Sequence, residues 1–364
     1  MMRKGRIGLA CGAVLAAALA GGTTPTDDAD ALADLGRQLF SDANLSRDRT
    51  QSCATCHDPD HAFTDPRENA SGRAFSLGDD GHSLGDRNTP SLMYGAFSPP
   101  RGARGTGRVA GGYFWDGRAS DLEEQALGPL MNPVEMNMPN AAAVAERIRE
   151  NAHYQGLYAR LFGPATLQDD QSVLHATAQA LAAYQRTDEF APFDSKYDRY
   201  MRGETDLTAL EKFGRAVFVT WNCQSCHTPM YRGNASLELF TSFDHHNIGV
   251  PGDVSATLPD GAAPGMFKTP TLRNIAVTGP YMHNGSMQEL GTALRFYNRY
   301  LAQTPAAQTN PETGQPWGDP PYPDTLSRQE LESGIALSEA RLKALEAFLR
   351  TLTDRRYEHL LSED

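Results

Sequence analysis

The sequence predicts a mostly α-helical protein of two similar halves with long loops, and three observations support this prediction. The chain of 364 residues is long enough for about two domains, each able to bury a core. Apolar residues recur every three or four positions in several segments, whereas no run of alternating polar and apolar residues predicts a strand. Short motifs of the first half return in the same order in the second half.

The amino terminus has the pattern of an export signal. Basic residues precede an apolar run, Ile7–Ala20, that is too short to cross a bilayer. The run ends in Ala18–Ala20, a small-residue cleavage site. We therefore predict a signal peptide over residues 1–20 and a mature protein in the periplasm. Cys11 leaves a lipoprotein as an alternative, although the apolar run continues past it.

Charge and composition exclude several classes of protein. The net charge of −12 argues against nucleic-acid binding, because phosphate recognition requires basic patches. No stretch reaches the roughly 18–20 apolar residues of a membrane span. The 5 cysteines are too few for a disulfide scaffold, and the spacing of those beyond the signal segment predicts a different chemistry.

These cysteines form two copies of the motif C-x-x-C-H, at Cys53–His57 and Cys223–His227. This is the attachment pattern of haem c, in which two thiols bind the vinyl groups and the next histidine ligates the iron. The alternatives are a redox-active thiol pair and a zinc site, and a zinc site requires all the thiols to converge. The sequence therefore predicts two covalently bound haem c groups. The predicted attachment residues are Cys53, Cys56, Cys223 and Cys226, and the predicted iron ligands are His57 and His227.

The segments around each motif also repeat. Leu35–Phe40 precedes the first motif as Phe213–Phe218 precedes the second, and both end a helical pattern. Asn88–Leu92 follows the first motif as Lys268–Leu272 follows the second. The predicted fold is therefore mostly α, with two cytochrome c-like haem domains, long loops and an internal duplication. The predicted N-terminal and C-terminal haem domains are residues 21–203 and 204–364.

Helices are predicted over Ala141–Arg149, Val173–Tyr184 and Glu339–Leu352 from their three-to-four-residue apolar spacing. Thr205 or Asp206 is the expected cap of the helix that opens the second domain. The predicted long loops, rich in glycine and proline, are Glu68–Gly112, Tyr231–Lys268 and Gln303–Pro323.

Two further motifs, Tyr113–Arg118 and Gly128–Met136, lie between the haem motifs. With them, nearly the whole mature chain resembles the bacterial di-haem cytochrome c peroxidase and MauG superfamily. The resemblance implies that hydrogen peroxide reacts at the N-terminal haem, with Glu135 on its distal side and Gln125 and Pro129 beside it. A carboxylate there takes a proton from the inner peroxide oxygen and returns it to the outer one.

The resemblance also indicates the sixth ligand of the C-terminal haem. The ligand position of the family lies 14 residues after the histidine of a P-Y-x-H-x-G motif. The peroxidase branch has methionine there and the MauG branch has tyrosine. In this sequence the histidine is His283 and the position is Tyr297. A phenolate favours ferric and ferryl iron, whereas a thioether favours ferrous iron. The alternative is that Tyr297 is a packed aromatic residue of a helix and that another residue is the ligand, with Met287 the nearest candidate. His283 itself is expected to orient water or a haem propionate.

Two tryptophans have roles that the resemblance implies. Trp115 is expected to lie between the haems and to carry oxidising equivalents from one to the other. Trp221, two positions before Cys223, is expected to pass them to a bound partner protein. The alternative for each is an ordinary packed aromatic residue.

A calcium site between the domains is also implied by the resemblance, at Asn88, Thr278 and Pro280. One amide oxygen and two backbone carbonyls, completed by waters, suit this hard cation. His82 lies near the position of a switchable iron ligand in the peroxidase branch, but we expect a solvated loop histidine.

The resemblance thus implies a periplasmic enzyme of the MauG type. Such an oxidase uses hydrogen peroxide to oxidise tryptophan or tyrosine residues of an exported partner protein at a distance, through a high-valent state shared by both haems. The first alternative is a peroxidase that reduces hydrogen peroxide with electrons from a small cytochrome. The second is a di-haem electron carrier without enzymatic activity.

Overall fold

The computed structural model describes residues 25–103, 108–221, 223–228, 237–252 and 263–362. The predicted signal peptide, with Cys11, lies outside these residues, and so does part of the loop predicted over Tyr231–Lys268. None of the helices in the described residues is long and apolar enough to cross a membrane.

Helices make up most of the regular structure, which confirms the mostly α prediction. The helices are α1 Pro25–Phe40, α2 Cys53–Cys56, α3 Leu122–Met131, α4 Ala141–Arg149, α5 Ala152–Leu161, α6 Asp170–Gln185, α7 Lys196–Met201, α8 Ala209–Thr220, α9 Cys223–Cys226, α10 Leu290–Asn298, α11 Pro305–Gln308, α12 Arg328–Leu331 and α13 Glu339–Arg350. The strands are β1 Gly102–Ala103, β2 Val109–Ala110, β3 His245–His246 and β4 Phe267–Lys268. Strand β1 pairs antiparallel with β2, and β3 with β4, so each pair forms a short ribbon between helices.

The predicted helices are present, and two local predictions need correction. Helix α8 begins after Thr208, not after Thr205 or Asp206, because Thr208 forms a capping box with Glu211. The Thr208 N–H donates to Glu211 Oε2 at 2.6 Å. The loop predicted over Gln303–Pro323 contains the short helix α11, since Pro305 occupies its first turn, where a missing N–H costs nothing.

Helix α1 packs on α6 in the first half, and α8 packs on α13 in the second, each through a glycine. A Cβ added at Gly36 of α1 would lie 1.9 Å from the carbonyl oxygen of Ala180 in α6. A Cβ at Gly214 of α8 would lie 1.8 Å from the carbonyl oxygen of Ala344 in α13. The repeated Gly-Arg motif therefore marks the same close helix crossing in both halves.

We expect Gly214→Ala to lower the free energy of unfolding of the holoprotein by about 1–3 kcal/mol, because the added methyl forces α8 and α13 apart. Gly156→Ala is the matched control, since Gly156 is an exposed glycine of α5 with no atom within 4 Å of the position that the added methyl would occupy. The control should stabilise the protein by about 0.5–1 kcal/mol through helix propensity. Urea denaturation measures both; equal stability of Gly214→Ala and the wild type would contradict the crossing.

Two hydrophobic clusters form the core of the described residues. One surrounds Phe40 between α1, α3, α4 and α6, and the other surrounds Phe348 between α8, α10 and α13. Tyr197 of α7 packs into the second cluster, whereas Tyr357, close to the carboxyl end, returns to the first. The chain therefore crosses between the halves more than once, and the domain boundary after residue 203 stays a prediction.

Candidate functional site

The first C-x-x-C-H motif holds its histidine through the backbone. Cys53 and Cys56 bound the single turn of α2, and His57 follows directly. The His57 Nδ1–H donates to the carbonyl oxygen of Phe63 at 3.0 Å, so Nε2 is the nitrogen left to bind a metal. Burial lowers the pKa of His57, which keeps the imidazole neutral, as an iron ligand must be.

The second motif repeats this arrangement. Cys223 and Cys226 bound α9, and His227 Nδ1–H donates to the carbonyl oxygen of Phe240 at 3.0 Å. Burial lowers the pKa of His227 to about 4. Phe63 and Phe240 both have left-handed backbone conformations, with φ of 55° and 54°, so the same local turn presents the acceptor in each half.

A cavity opens beside the first motif, with about 1750 Å³ of empty space including its solvent-open mouth. Its lining brings together residues that are far apart in the sequence. Among them are Cys53, Cys56, His57, Trp115, Gln125, Pro129 and Glu135. The predicted distal residues therefore share one cavity with the predicted iron ligand.

Glu135 is held in this cavity by a tight turn. Its Oε1 accepts a hydrogen bond from Asn132 Nδ2 at 2.8 Å, and its backbone carbonyl accepts from Gln51 Nε2 at 2.7 Å. The Asp79 N–H donates to the same carbonyl at 2.8 Å. Burial raises the pKa of Glu135, which brings the carboxyl group closer to a value suited to proton transfer.

The residues present fit a haem in this cavity. Both terminal nitrogens of Arg87 are buried without a hydrogen-bond partner among the described residues, and Nη2 lies 3.9 Å from Asp116 Oδ2. Arg87 lines the cavity, so an anionic group such as a haem propionate would satisfy these donors. The cysteines are free thiols, and burial raises the pKa of Cys56 to about 11 and that of Cys53 to about 12. Both thiols are unbridged and line the cavity, so they are placed for thioether bonds to a group bound there.

Trp115 connects the cavity to the second half of the chain. Its indole Nε1–H donates to the carbonyl oxygen of Asn88 at 2.8 Å, and its own carbonyl oxygen accepts from the Lys268 N–H at 2.8 Å. The Asn88 N–H in turn donates to the carbonyl oxygen of His283 at 2.9 Å. Trp115 is thus hydrogen-bonded to corresponding segments of the two halves.

His283 faces the same junction. Its ring stacks on Phe267 with centroids 3.9 Å apart, and the Arg87 guanidinium lies 4.7 Å from the centre of the Phe267 ring. Burial, with a smaller effect of Arg87, lowers the pKa of His283 to about 3. Its Nε2 is buried and finds no hydrogen-bond partner in the described part of the chain. This agrees with a histidine that orients a water or a propionate.

The predicted calcium residues lie close to this junction along the chain. Asn88 is buried, and its side-chain amide donates to the carbonyl oxygen of Ala74 at 3.3 Å. The Thr278 hydroxyl donates to the carbonyl oxygen of Ile275 at 3.4 Å, and Pro280 follows two residues later. The site itself stays a prediction. No group of three or more histidine, cysteine or carboxylate side chains gathers as a metal site in the described ranges.

Tyr297 lies on α10 beside the second thiol pair. Burial and the proximity of Cys226 and Cys223 raise the pKa of its phenol above the usual range. Its hydroxyl makes no hydrogen bond within the described residues, whereas the neighbouring Tyr300 hydroxyl donates to a carbonyl at 2.9 Å. Met287, the alternative ligand, is only 1 % exposed and packs into the second hydrophobic cluster. The placement therefore favours Tyr297.

Trp221 ends α8 directly before the second motif. Its indole Nε1–H donates to the carbonyl oxygen of Ile335 at 2.7 Å, and the Arg341 guanidinium lies 4.4 Å above the ring. The side chain is half-buried, and Ile335 is 68 % exposed. Trp221 is therefore two positions from Cys223 in the chain and is bonded to a segment at the protein surface.

His82 and His61 do not line the cavity beside the first motif. The His82 side chain is 82 % exposed and lies 3.7 Å from Asp80, which agrees with a solvated loop residue. His61, four residues after His57 in the chain, donates to Asp58 Oδ2 at 2.8 Å.

Sequence reasoning missed two cationic residues. Arg87 directly precedes Asn88, and Lys268 opens the matching segment of the second half. Lys268 Nζ donates to the carbonyl oxygen of Gly112 at 2.6 Å, and burial lowers its pKa to about 8. The sequence contained a signal for Lys268, because it is charged whereas Asn88, at the equivalent position of the first half, is not.

The chain is similar to proteins of one family in sequence and in structure. A family model described as di-haem cytochrome c peroxidase matches residues 30–206. The methylamine utilization protein MauG of Paracoccus denitrificans is 53 % identical, over 98 % of this chain and 97 % of that protein. The cytochrome c peroxidase Ccp of Escherichia coli is 30 % identical over 73 % of this chain and 52 % of that protein. The crystal structure of the diheme peroxidase BthA from Burkholderia thailandensis aligns with a TM-score of 0.79 and 33 % identity, and covers 93 % of this chain and 88 % of that one.

Proposed function

Because this chain belongs to the di-haem cytochrome c peroxidase and MauG family, we propose that it is a haem-dependent oxidase that acts on a partner protein. It binds two haem c groups and uses hydrogen peroxide as the oxidant. The partner is an exported protein, and tryptophan or tyrosine residues are the target because they are the most readily oxidised aromatic side chains. Similarity to the MauG of Paracoccus denitrificans supports this proposal over the other functions of the family.

The haem groups supply the redox chemistry, and the protein supplies ligands, positions and proton transfer. The residues that hold them are Cys53, Cys56, His57, Cys223, Cys226 and His227. In the first cavity, Glu135 takes the proton from one peroxide oxygen and returns it to the other, so that water leaves instead of hydroxide. Gln125 and Pro129 line the same cavity and limit the space around peroxide.

Tyr297 carries the proposal. A phenol beside the second thiol pair, without another hydrogen-bond partner in the described residues, offers a hard oxygen ligand where a peroxidase of the family has a thioether. An oxygen ligand stabilises the oxidised metal, so the second site retains oxidising power instead of accepting electrons from a cytochrome. The oxidising equivalents are then shared between the two sites through Trp115 and leave through Trp221.

The remaining assignments follow from the same proposal. Calcium binds at Asn88, Thr278 and Pro280, between an N-terminal haem domain of residues 21–203 and a C-terminal one of residues 204–364. Residues 1–20 direct export to the periplasm, where the partner protein is met.

A di-haem cytochrome c peroxidase is the second candidate, because two relatives at 30 % identity are named cytochrome c peroxidase and cytochrome c551 peroxidase. It differs in its electron source, a small cytochrome, and in its need for reduction of one haem before peroxide reacts.

Mixing the fully ferric protein with hydrogen peroxide separates these functions. The proposed oxidase should react without prior reduction and should develop a near-infrared band from charge shared between two haems. Small exported proteins encoded by neighbouring genes are the candidates to test as the partner, and the partner should then gain or lose mass. A need for prior reduction, together with rapid oxidation of a reduced small cytochrome, would establish the peroxidase instead. Two six-coordinate low-spin haems that do not react with peroxide would indicate an electron carrier.

Trp221→Phe tests the exit route in the same assay. Phenylalanine is not oxidised at the potentials that oxidise indole, so partner oxidation should be lost while peroxide consumption continues. Trp317→Phe is the matched control, since Trp317 is buried and its indole donates to the carbonyl oxygen of Ala307 at 3.0 Å, whereas Trp221 donates to the exposed Ile335. Equal partner oxidation in both variants would contradict the role of Trp221.

A further inference from the structure

A buried tyrosine lies against the first cavity and is not used by the proposed function. Tyr94 lines the cavity that also contains His57, and it is 1 % exposed. Its hydroxyl donates a hydrogen bond to Asp354 Oδ1 at 2.7 Å. A buried phenol that contacts both a haem cavity and a carboxylate base has the two neighbours that tyrosine oxidation requires.

Asp354 is a base without access to solvent. It is fully buried, and its Oδ2 accepts from Asn274 Nδ2 at 2.7 Å. Burial raises the pKa of Asp354 to about 6 and raises the pKa of Tyr94 well above the usual range. In the resting protein the proton therefore stays on Tyr94, and a carboxylate able to receive it lies at hydrogen-bond distance.

The pair also lies where the two halves meet. Tyr94 and Asn274 hold equivalent left-handed positions in the repeat, with φ of 60° and 62°. The carboxylate between them comes from the segment after α13. Asp354 therefore forms hydrogen bonds to the corresponding turns of both halves.

Arg273 connects Tyr94 with the second motif. Its guanidinium lies 5.3 Å from the Tyr94 ring and 5.6 Å from the Phe240 ring. The carbonyl oxygen of Phe240 is the acceptor for His227. The positive charge of Arg273 is balanced by Asp198 Oδ2 at 2.5 Å, so the ring is not left beside an uncompensated cation, which would oppose its oxidation.

We infer that Tyr94 is a redox-active residue that holds one oxidising equivalent when no partner protein is bound. Tyr94 gives one electron to the oxidised haem group at His57, and its O–H proton moves to Asp354 Oδ1. The phenolic O–H bond breaks and a carboxylic O–H bond forms, which leaves a neutral tyrosyl radical and a neutral acid. The inference rests on the proposed reaction with hydrogen peroxide, which supplies the oxidising equivalents.

The test is electron paramagnetic resonance of the holoprotein, frozen after mixing with hydrogen peroxide in the absence of any partner. We expect an organic radical signal that narrows when the protein is made with ring-deuterated tyrosine. Tyr94→Phe should lose the signal. Tyr113→Phe, the matched control, should keep it, because Tyr113 lines the same cavity but donates only to the carbonyl oxygen of Ser98 at 3.2 Å.

Asp354→Asn tests the role of the carboxylate base independently of the Tyr94 ring. Asparagine keeps the size and an acceptor for Tyr94, but it cannot take the proton, so the signal should be lost while Tyr94 remains. Thermal denaturation of each variant shows whether it is folded, independently of the radical. A tyrosyl signal that persists in either variant, or its absence from a wild-type protein that consumes peroxide, would overturn the inference. Absence of peroxide consumption would instead contradict the proposed function.

Discussion

Tyr297→Phe is expected to abolish partner oxidation while the protein continues to react with hydrogen peroxide. The phenol lies beside Cys223 and Cys226, and the variant removes only its oxygen atom. Loss of groups that merely orient a metal ligand costs about 10–100-fold in activity. Loss of the proposed ligand itself should lower partner oxidation by more than about 100-fold, since the second site no longer stabilises the oxidised metal. The near-infrared band should disappear with it.

Tyr300→Phe provides the control for Tyr297→Phe. Tyr300 lies three residues further along, and its hydroxyl donates to the carbonyl oxygen of Ile248 at 2.9 Å, so it is held by the protein alone. Its removal should leave both the band and partner oxidation in place. Partner oxidation that survives in Tyr297→Phe, or spectra that show a thioether ligand such as Met287, would refute the proposed ligand.

Glu135→Gln is expected to slow the reaction with hydrogen peroxide by about 100- to 10,000-fold, the usual contribution of a positioned acid–base group. Glutamine has nearly the same shape and can accept the same hydrogen bond from Asn132, so the turn should persist. Since burial raises the pKa of Glu135, its proton-accepting form is lost as the pH falls through that raised value. The wild-type rate should therefore fall towards acidic pH, and the rate of the variant should not. Stopped-flow mixing with peroxide over a range of pH measures both.

Glu124→Gln is the matched control for Glu135→Gln. Glu124 is an exposed acid at the start of α3, where its Oε2 accepts from the Ser120 N–H at 2.7 Å. This variant should retain the wild-type rate and pH profile. The same loss of rate in both variants, or an unchanged pH profile in Glu135→Gln, would exclude Glu135 as the acid–base group.

Much of the site could be predicted because its residues lie in short motifs. The fixed spacing within C-x-x-C-H determines which histidine follows the thiols, whatever the rest of the fold. Trp115 and Glu135 were located through neighbouring sequence, and the structure places both at one cavity with His57. Local patterns also predicted α4, whose bounds agree with the prediction, Ala141–Arg149.

What the sequence did not predict depends on contacts between distant segments. Tyr94 and Asp354 are 260 positions apart, and nothing in either local sequence marks them as partners. Arginine is mostly found at protein surfaces, so the sequence gives no reason to single out Arg87. Only the structure shows that its terminal nitrogens are buried without a hydrogen-bond partner in the described residues. The cap at Thr208 was missed because Thr205, Asp206 and Thr208 are all good capping residues, and the reciprocal bond with Glu211 decides among them.

The acceptors for the two motif histidines are carbonyl oxygens of the main chain, at Phe63 and Phe240. A carbonyl oxygen is present whatever side chain the residue carries. Most substitutions at these two positions should therefore leave the orientation of each imidazole unchanged. The side chains that line the rest of each site can therefore differ between the two halves without a change in this anchor. Glu135 in one half and Tyr297 in the other illustrate this independence, because neither side chain takes part in holding the imidazole of its half.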